Sequence, residues 1–209
     1  MYVKSRMTAN PYTVAPEATV AETLELMRTK DIRRVPVVKN NKLVGIITER
    51  KLLEVSPSPA TSLSIFEINY LLSKTKIESV MSKDVVTVEP GTLLEEAAIL
   101  MREHDVGGLP VVEDEKLVGI ITETDIFDSF IEIMGFKDVG SRIAVEVNDD
   151  KPGILAKVAG VIAKFDVNIT HLAVFRNEII IRINTLNVDN ILKALESEGF
   201  KVISVLKNE

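Results

Sequence analysis

The sequence predicts a mixed α/β (α+β) fold, with two pseudo-symmetric repeats forming one module and a smaller βαββαβ domain behind it. Three observations carry this. Residues 7–53 align with 81–127 at a constant offset of 74 without a gap, with 20 identities in 47 positions. Within each repeat, short β-branched runs alternate with segments whose apolar residues recur at helical spacing. After Gly140 the pattern changes, and a second set of alternating strands and helices begins. A fixed-period repeat is the first thing to establish, because a unit that cannot bury its apolar face alone is built to pack against its copy.

Each repeat reads as strand, helix, strand, strand, helix. Tyr12-Thr13-Val14 has the composition of a short strand. Thr19-Val20-Ala21-Glu22 has the form of a capping box, in which side chains satisfy the orphan amides of a helix start. Val20, Leu24 and Met27 then fall on one helical face. Val35-Pro36-Val37-Val38 reads as a strand, with its proline at an edge or strand start. Asn40-Asn41 is turn chemistry, and Leu43–Thr48 reads as a buried strand. In the second repeat the capping pattern Thr92-Leu93-Leu94-Glu95 sits one position earlier. Ser56-Pro57-Ser58-Pro59 reads as a loop between the repeats, followed by a helix from Leu63 to Ser73.

Beyond Asp125, the residues Phe127, Phe130, Ile131 and Met134 form an apolar helical stripe, with Gly135 placed as a C-cap. Ile143, Val145 and Val147 alternate as in a half-buried strand. Asn148–Gly153 is rich in helix and strand breakers. Leu155, Val158 and Ile162 share a helical face; strands follow near Val167–Phe175 and Glu178–Asn184. A second helix turns Val188, Ile191, Leu192 and Leu195 inward and ends at Gly199, before a last strand over Lys201–Leu206. The βαββαβ order is that of a ferredoxin-like domain.

Composition narrows the chemistry. The 209 residues are 46% hydrophobic, with no Trp and no Cys. Thiolate catalysis, zinc–thiolate sites and disulfides are therefore excluded. The net charge of −6 and the lack of a Lys/Arg run argue against a large nucleic-acid surface. No stretch of about 18 apolar residues is present to span a bilayer, and the N-terminus lacks the apolar run of a signal peptide. The expectation is a cytoplasmic protein with no membrane insertion. His104 and His171 are the only histidines, and no metalloprotease, nucleophile-elbow or P-loop motif occurs. No catalytic residue, metal site or required cofactor is expected.

The motifs Val35-Pro36-Val37 and Leu109-Pro110-Val111, with Gly119-Ile120-Ile121-Thr122-Glu123-Thr124-Asp125, resemble those of the CBS domain. The resemblance covers residues 1 to about 134. It places a first CBS unit with a connecting helix at 1–74 and a second at 75–136. It implies a pair of clefts between the units, each able to take an adenine nucleotide, AMP above all. In such modules the final Asp accepts from the ribose hydroxyls and the Thr donates toward the phosphate; Asp125 and Thr122 match. In the first repeat Thr48 matches, but Lys51 stands where the Asp belongs, and Lys has donors only. Basic residues ahead of the strand proline hold the phosphate in these modules. Arg33 and Arg34 occupy that place in the first repeat, Gly107 and Gly108 in the second. The arginines therefore go with the Asp125 cleft. Gly107 and Gly108 would let backbone approach the base, and Val85 and Val86 would line the adenine slot. The plainer reading makes Asp125 a helix-start carboxylate and the arginines a solvated pair.

Asp149–Leu155, with Asp166-Val167-Asn168-Ile169 downstream, resembles an ACT domain over residues 139–209. That implies an amino-acid effector site at Asn148, Asp150, Gly153 and Asn168, against the alternative that these are ordinary turn residues. The order of units is similar to that of AcuB-like acetoin-utilisation proteins. The expectation is a regulatory sensor and homodimer with an unknown downstream protein partner. A ligand-free dimerisation adaptor and an S-adenosyl-type sensor are the alternatives.

Overall fold

The structure, a computed structural model, describes residues 1–57, 63–147 and 151–209. It divides into two compact units, Met1–Ile126 and Phe127–Glu209.

The first unit holds both repeats. Strand β1 is Thr8–Ala9, and helix α1 is Val20–Lys30. Strands β2 (Arg34–Lys39) and β3 (Lys42–Thr48) form a hairpin that leads into helix α2 (Glu49–Val55). Helix α3 is Ile65–Lys74. The second repeat supplies α4 (Leu94–Glu103), β4 (Gly108–Glu113), β5 (Lys116–Thr122) and the start of α5 (Glu123–Ile133). The hairpin turns are made by Asn40-Asn41 and Asp114-Glu115, all four with positive φ. A two-residue turn of this kind matches strand twist and favours Asn and Asp, whose short polar side chains tolerate that conformation. The residues expected as a strand at Tyr12–Val14 make only an isolated parallel bridge, Val14 to Val37. Ser58 and Pro59 of the expected loop lie outside the described residues.

The lead segments are exchanged between the repeats. Thr8 and Ala9 pair with Ile120 and Gly119 of β5, and Ile46 of β3 bridges Ser82. Val3 is buried in the second core with Leu94, Met101, Leu109 and Ile121, while its repeat equivalent Ile77 is buried in the first with Val20, Met27, Val35 and Ile47. A Cβ at Gly119 would lie 2.5 Å from the Met7 sulfur, and one at Gly45 2.6 Å from that of Met81. These glycines leave room for a thioether from the opposite repeat. Each fully buried Ile or Leu stabilises the fold by about 1.5–3 kcal/mol, so each lead segment binds its host core through ordinary apolar burial.

The capping expectation holds in one repeat and fails in the other. Thr19 accepts from the Glu22 amide at 3.2 Å, and Glu22 accepts from the Thr19 amide at 2.7 Å. In the second repeat the helix starts at Leu94, in register with Val20, so its N-cap is Leu93, which offers no side-chain bond. Thr92 accepts instead from the Glu89 amide at 3.1 Å. Core register, set by Leu94 and Ala97, overrides the local capping pattern.

The second unit contains β6 (Gly140–Glu146), α6 (Ile154–Ala163), β7 (Ile169–Phe175), β8 (Glu178–Ile183), α7 (Asp189–Ser197) and β9 (Lys201–Asn208). The antiparallel sheet runs β7-β8-β6-β9, the strand order of a ferredoxin-like domain. Its core joins Ile143, Val145, Ile179, Ile181 and Ile183 of the sheet to Val158, Ile162, Ile191 and Leu195 of the helices. The expected inward face of α6 needs one correction: Leu155 is exposed, and Ile154 packs on the core in its place. Phe127 and Phe130 of the apolar stripe on α5 are also exposed. Gly135 takes the positive φ expected of a helix end.

Candidate functional site

The site is built where β5 ends and α5 begins. Thr122 is the last residue of β5 and stands opposite Gly108 in the ladder. Its amide and its hydroxyl both donate to Asp125 Oδ2, at 2.8 and 2.6 Å. The Asp125 amide donates back to the Thr122 hydroxyl at 3.4 Å. This reciprocal arrangement is a capping box in which Asp replaces the usual Glu. At the equivalent place in the first repeat, Thr48 accepts from the Lys51 amide at 3.2 Å. Lys51 has no acceptor to close the box, and its ammonium lies 3.7 Å from Glu54.

Arg34 opens β2, opposite Thr48, but its side chain crosses to the other repeat. Its guanidinium donates to the Gly107 carbonyl. A Cβ on Gly107 would lie 2.6 Å from Arg34 Nη2 and 2.9 Å from Glu123 Oε2. One on Gly108 would lie 2.8 Å from Nη1 and 3.1 Å from the Ile121 carbonyl oxygen. The space above the two glycines, expected from the sequence to admit a base, is where the guanidinium lies. Burial pulls the Arg34 pKa down from its ordinary value; Glu123 and Asp125 act against that, and Arg33 adds to it. A guanidinium remains charged in proteins all the same. Arg33 is exposed, and its carbonyl accepts from the Glu49 amide at 2.8 Å.

Val85 and Val86 are partly buried in an extended segment. Val88 bridges Val111 in parallel, which carries the two valines toward the Gly108 end of β4. The structure thus gathers Arg34, Gly107, Gly108, Thr122 and Asp125. Glu123 joins them and was missed from sequence. Its one signal was the shared Thr-Glu dipeptide of the two repeats, which reads as helix-start chemistry wherever no cation lies across from it.

In the second unit, Gly153 is the N-cap of α6 with φ 92. Asn168 lies past the other end of that ten-residue helix, about 15 Å along its axis. There the Asn168 amide donates to Asn184 Oδ1 at 2.9 Å. Within one chain these two residues are therefore apart, and Asn148 and Asp150 lie outside the described residues. A cavity of about 500 Å³ opens at the Gly153 end, lined by Val147, Pro152, Gly153, Leu155, Val174 and Arg176 among others. His104 caps the end of α4 and is exposed. His171 stands in β7 with Nδ1 3.6 Å from Asp138 and 3.2 Å from the Thr170 hydroxyl. Among the described residues, no three His, Cys, Asp or Glu side chains group to hold a metal, and no helix is long and apolar enough to cross a membrane.

Known families match both units of the chain. The CBS domain model matches residues 3–58 and 77–132, and the ACT domain model matches residues 141–200. Among solved structures, the AcuB protein of Vibrio cholerae is 36% identical. The match covers 65% of this chain and 94% of that one, with a TM-score of 0.54. CBSX2 of Arabidopsis thaliana, solved with AMP, is 31% identical over 63% of this chain and 97% of that one, with a TM-score of 0.53. The CBS pair of a third protein, solved with 5′-methylthioadenosine and S-adenosyl-L-methionine, is 27% identical over 62% of this chain and 95% of that one, with a TM-score of 0.52.

Proposed function

The chain belongs to the CBS-domain family and carries two CBS domains followed by an ACT domain, and from that premise we propose that it is a non-catalytic regulator binding one adenine nucleotide. The proposed cleft is that of Asp125, Thr122, Arg33 and Arg34, with Val85 and Val86 around the base and Gly107 and Gly108 leaving room for the Arg34 guanidinium. One observation carries the reading. Arg34 of the first repeat reaches the Gly107 carbonyl beside the Thr122–Asp125 helix start of the second, while the other proposed cleft would pair Lys51 of the first repeat with Gly107 and Gly108 of the second and has no arginine. A phosphate needs cations and a ribose diol needs a carboxylate acceptor, and only one of the two clefts pairs them. The bound AMP of CBSX2, and the adenosine-based ligands of the third structure, support an adenosine ligand.

The rest of the proposal follows from composition and family. The protein acts in the cytoplasm as a homodimer, sensing energy or metabolite state. It passes that state to a protein partner, and the ACT domain takes an amino acid in the region of Gly153. Exposed Phe66 and Tyr70 on α3 support self-association, which sedimentation at micromolar concentration checks. Titration calorimetry with adenosine, AMP, ADP, ATP and S-adenosylmethionine tests the site. One adenosine-class ligand per chain is the expected result. No binding by any of the five would leave the second reading, a dimerisation adaptor in which the Asp125 box and the Arg34 bond serve only to join the repeats. Preference for S-adenosylmethionine would move the assignment to a sulfonium ligand.

A further inference from the structure

Glu123 lies beside Arg34 at the cleft, and the nucleotide reading does not use it. Its Oε2 and the Arg34 Nη2 approach the same point above Gly107, 2.9 and 2.6 Å from where a Cβ would stand. The carboxylate is thus beside the cation assigned to the phosphate. The groups that act electrostatically on Arg34 add no net positive charge: Arg33 shares its charge sign, and Glu123 and Asp125 oppose it. A cleft with no cationic surplus can match a single phosphate through a directed guanidinium bond. Further phosphates extending past Arg34 on that side meet a carboxylate instead of another cation, and like charges in a partly desolvated cleft repel strongly.

From this juxtaposition, and resting on the adenine-nucleotide reading above, we infer that Glu123 determines ligand charge, selecting a monophosphate over a di- or triphosphate. The same sequence position in the first repeat is Glu49, also the first residue of its helix. Both glutamates suit a helix N-terminus. Glu123 shares the space over Gly107 with the Arg34 guanidinium, and the first repeat has Arg33 and Arg34 where the second has Gly107 and Gly108. Glu49 therefore supplies an internal control with the same helix-start role.

The test is binding of adenosine, AMP and ATP, without magnesium, to the full chain and to its Glu123→Gln and Glu49→Gln variants. Wild type is expected to bind AMP more tightly than ATP. Glu123→Gln should tighten ATP by roughly threefold to tenfold, AMP by less and adenosine not at all. The gain should shrink as salt is raised. Glu49→Gln should leave all three affinities unchanged. ATP bound as tightly as AMP by wild type would overturn the inference, as would a Glu123→Gln change equal for all three ligands or reproduced by Glu49→Gln. If AMP binds but these differences are absent, the charge-selection inference fails and the nucleotide reading stands. If no adenosine ligand binds wild type, both fall.

Discussion

The two CBS repeats share a hairpin, a helix start and even the threonine that caps it, yet the helix starts are finished differently. In the second, Asp125 closes a reciprocal box with Thr122. In the first, the Lys51 amide donates to the Thr48 hydroxyl and the Lys51 side chain reaches toward Glu54. The glycines and arginines ahead of the two hairpins are mismatched in the same sense. Arg34 fills the space that Gly107 and Gly108 leave open, and a second arginine there would collide with it. Exact symmetry would therefore be self-defeating at this point. One repeat supplies the cation and the other supplies the room, and the duplicated sequence is asymmetric at this point.

The sharpest way to break that contrast is Asp125→Ala. On the proposed assignment it removes the ribose acceptor, and loss of a charge-assisted hydrogen bond is worth roughly 1.5–3 kcal/mol, about 10- to 150-fold in AMP affinity. Because Asp125 also closes a capping box, denaturant unfolding should show a cost of about 0.5–2 kcal/mol as well. Lys51→Ala should change neither by much. Equal affinities for Asp125→Ala and wild type would place Asp125 in the capping role alone.

Arg34→Ala should act next most strongly, weakening AMP about tenfold while adenosine binding stays close to wild type. The ratio of the two ligands in calorimetry is the measurement that decides. A uniform loss would mean that Arg34 holds the repeats together without meeting a phosphate.

A smaller effect separates the two first helices. Leu93 is the N-cap of α4 and is 45% exposed, and Glu96 stands three residues on, as Glu22 does after Thr19. Leu93→Thr should complete a capping box and stabilise the protein by about 0.5–2 kcal/mol, with Thr19→Ala destabilising it by a similar amount. Thermal or urea unfolding reads both. A destabilised Leu93→Thr variant would show that the leucine contributes more through its packing than a cap returns.

The smallest effect expected is in pH. Bonds from the Thr19 amide and hydroxyl hold the Glu22 pKa below its ordinary 4.5. Its folded value is therefore below its unfolded one. The stabilisation is present at neutral pH and is lost as pH falls from about 4.5 through the folded pKa. Acid titration of stability should be shallower in Thr19→Ala than in wild type. Identical slopes would remove Glu22 from the acid response.

Much of this was legible in the chain itself. The repeat, the Asn40-Asn41 turn, the alternation of Ile143 and Val145 and the break at Gly153 are local or periodic signals, and local backbone preference and one-face burial act on them directly. The departures Lys51 and Gly107-Gly108 could be seen by aligning the chain with itself. Other features depended on partners distant in sequence. Burial of Val3 in the second repeat and Ile77 in the first cannot be read from hydropathy, because either core would accept either residue. The start of α4 at Leu94 followed core register over the Thr92 pattern, since several buried side chains outweigh one cap. The position of Arg34 over Gly107, and of Glu123 beside it, required the two repeats to be folded together. An arginine's partner is set by what lies within reach of its side chain, and 73 residues separate Arg34 from Gly107.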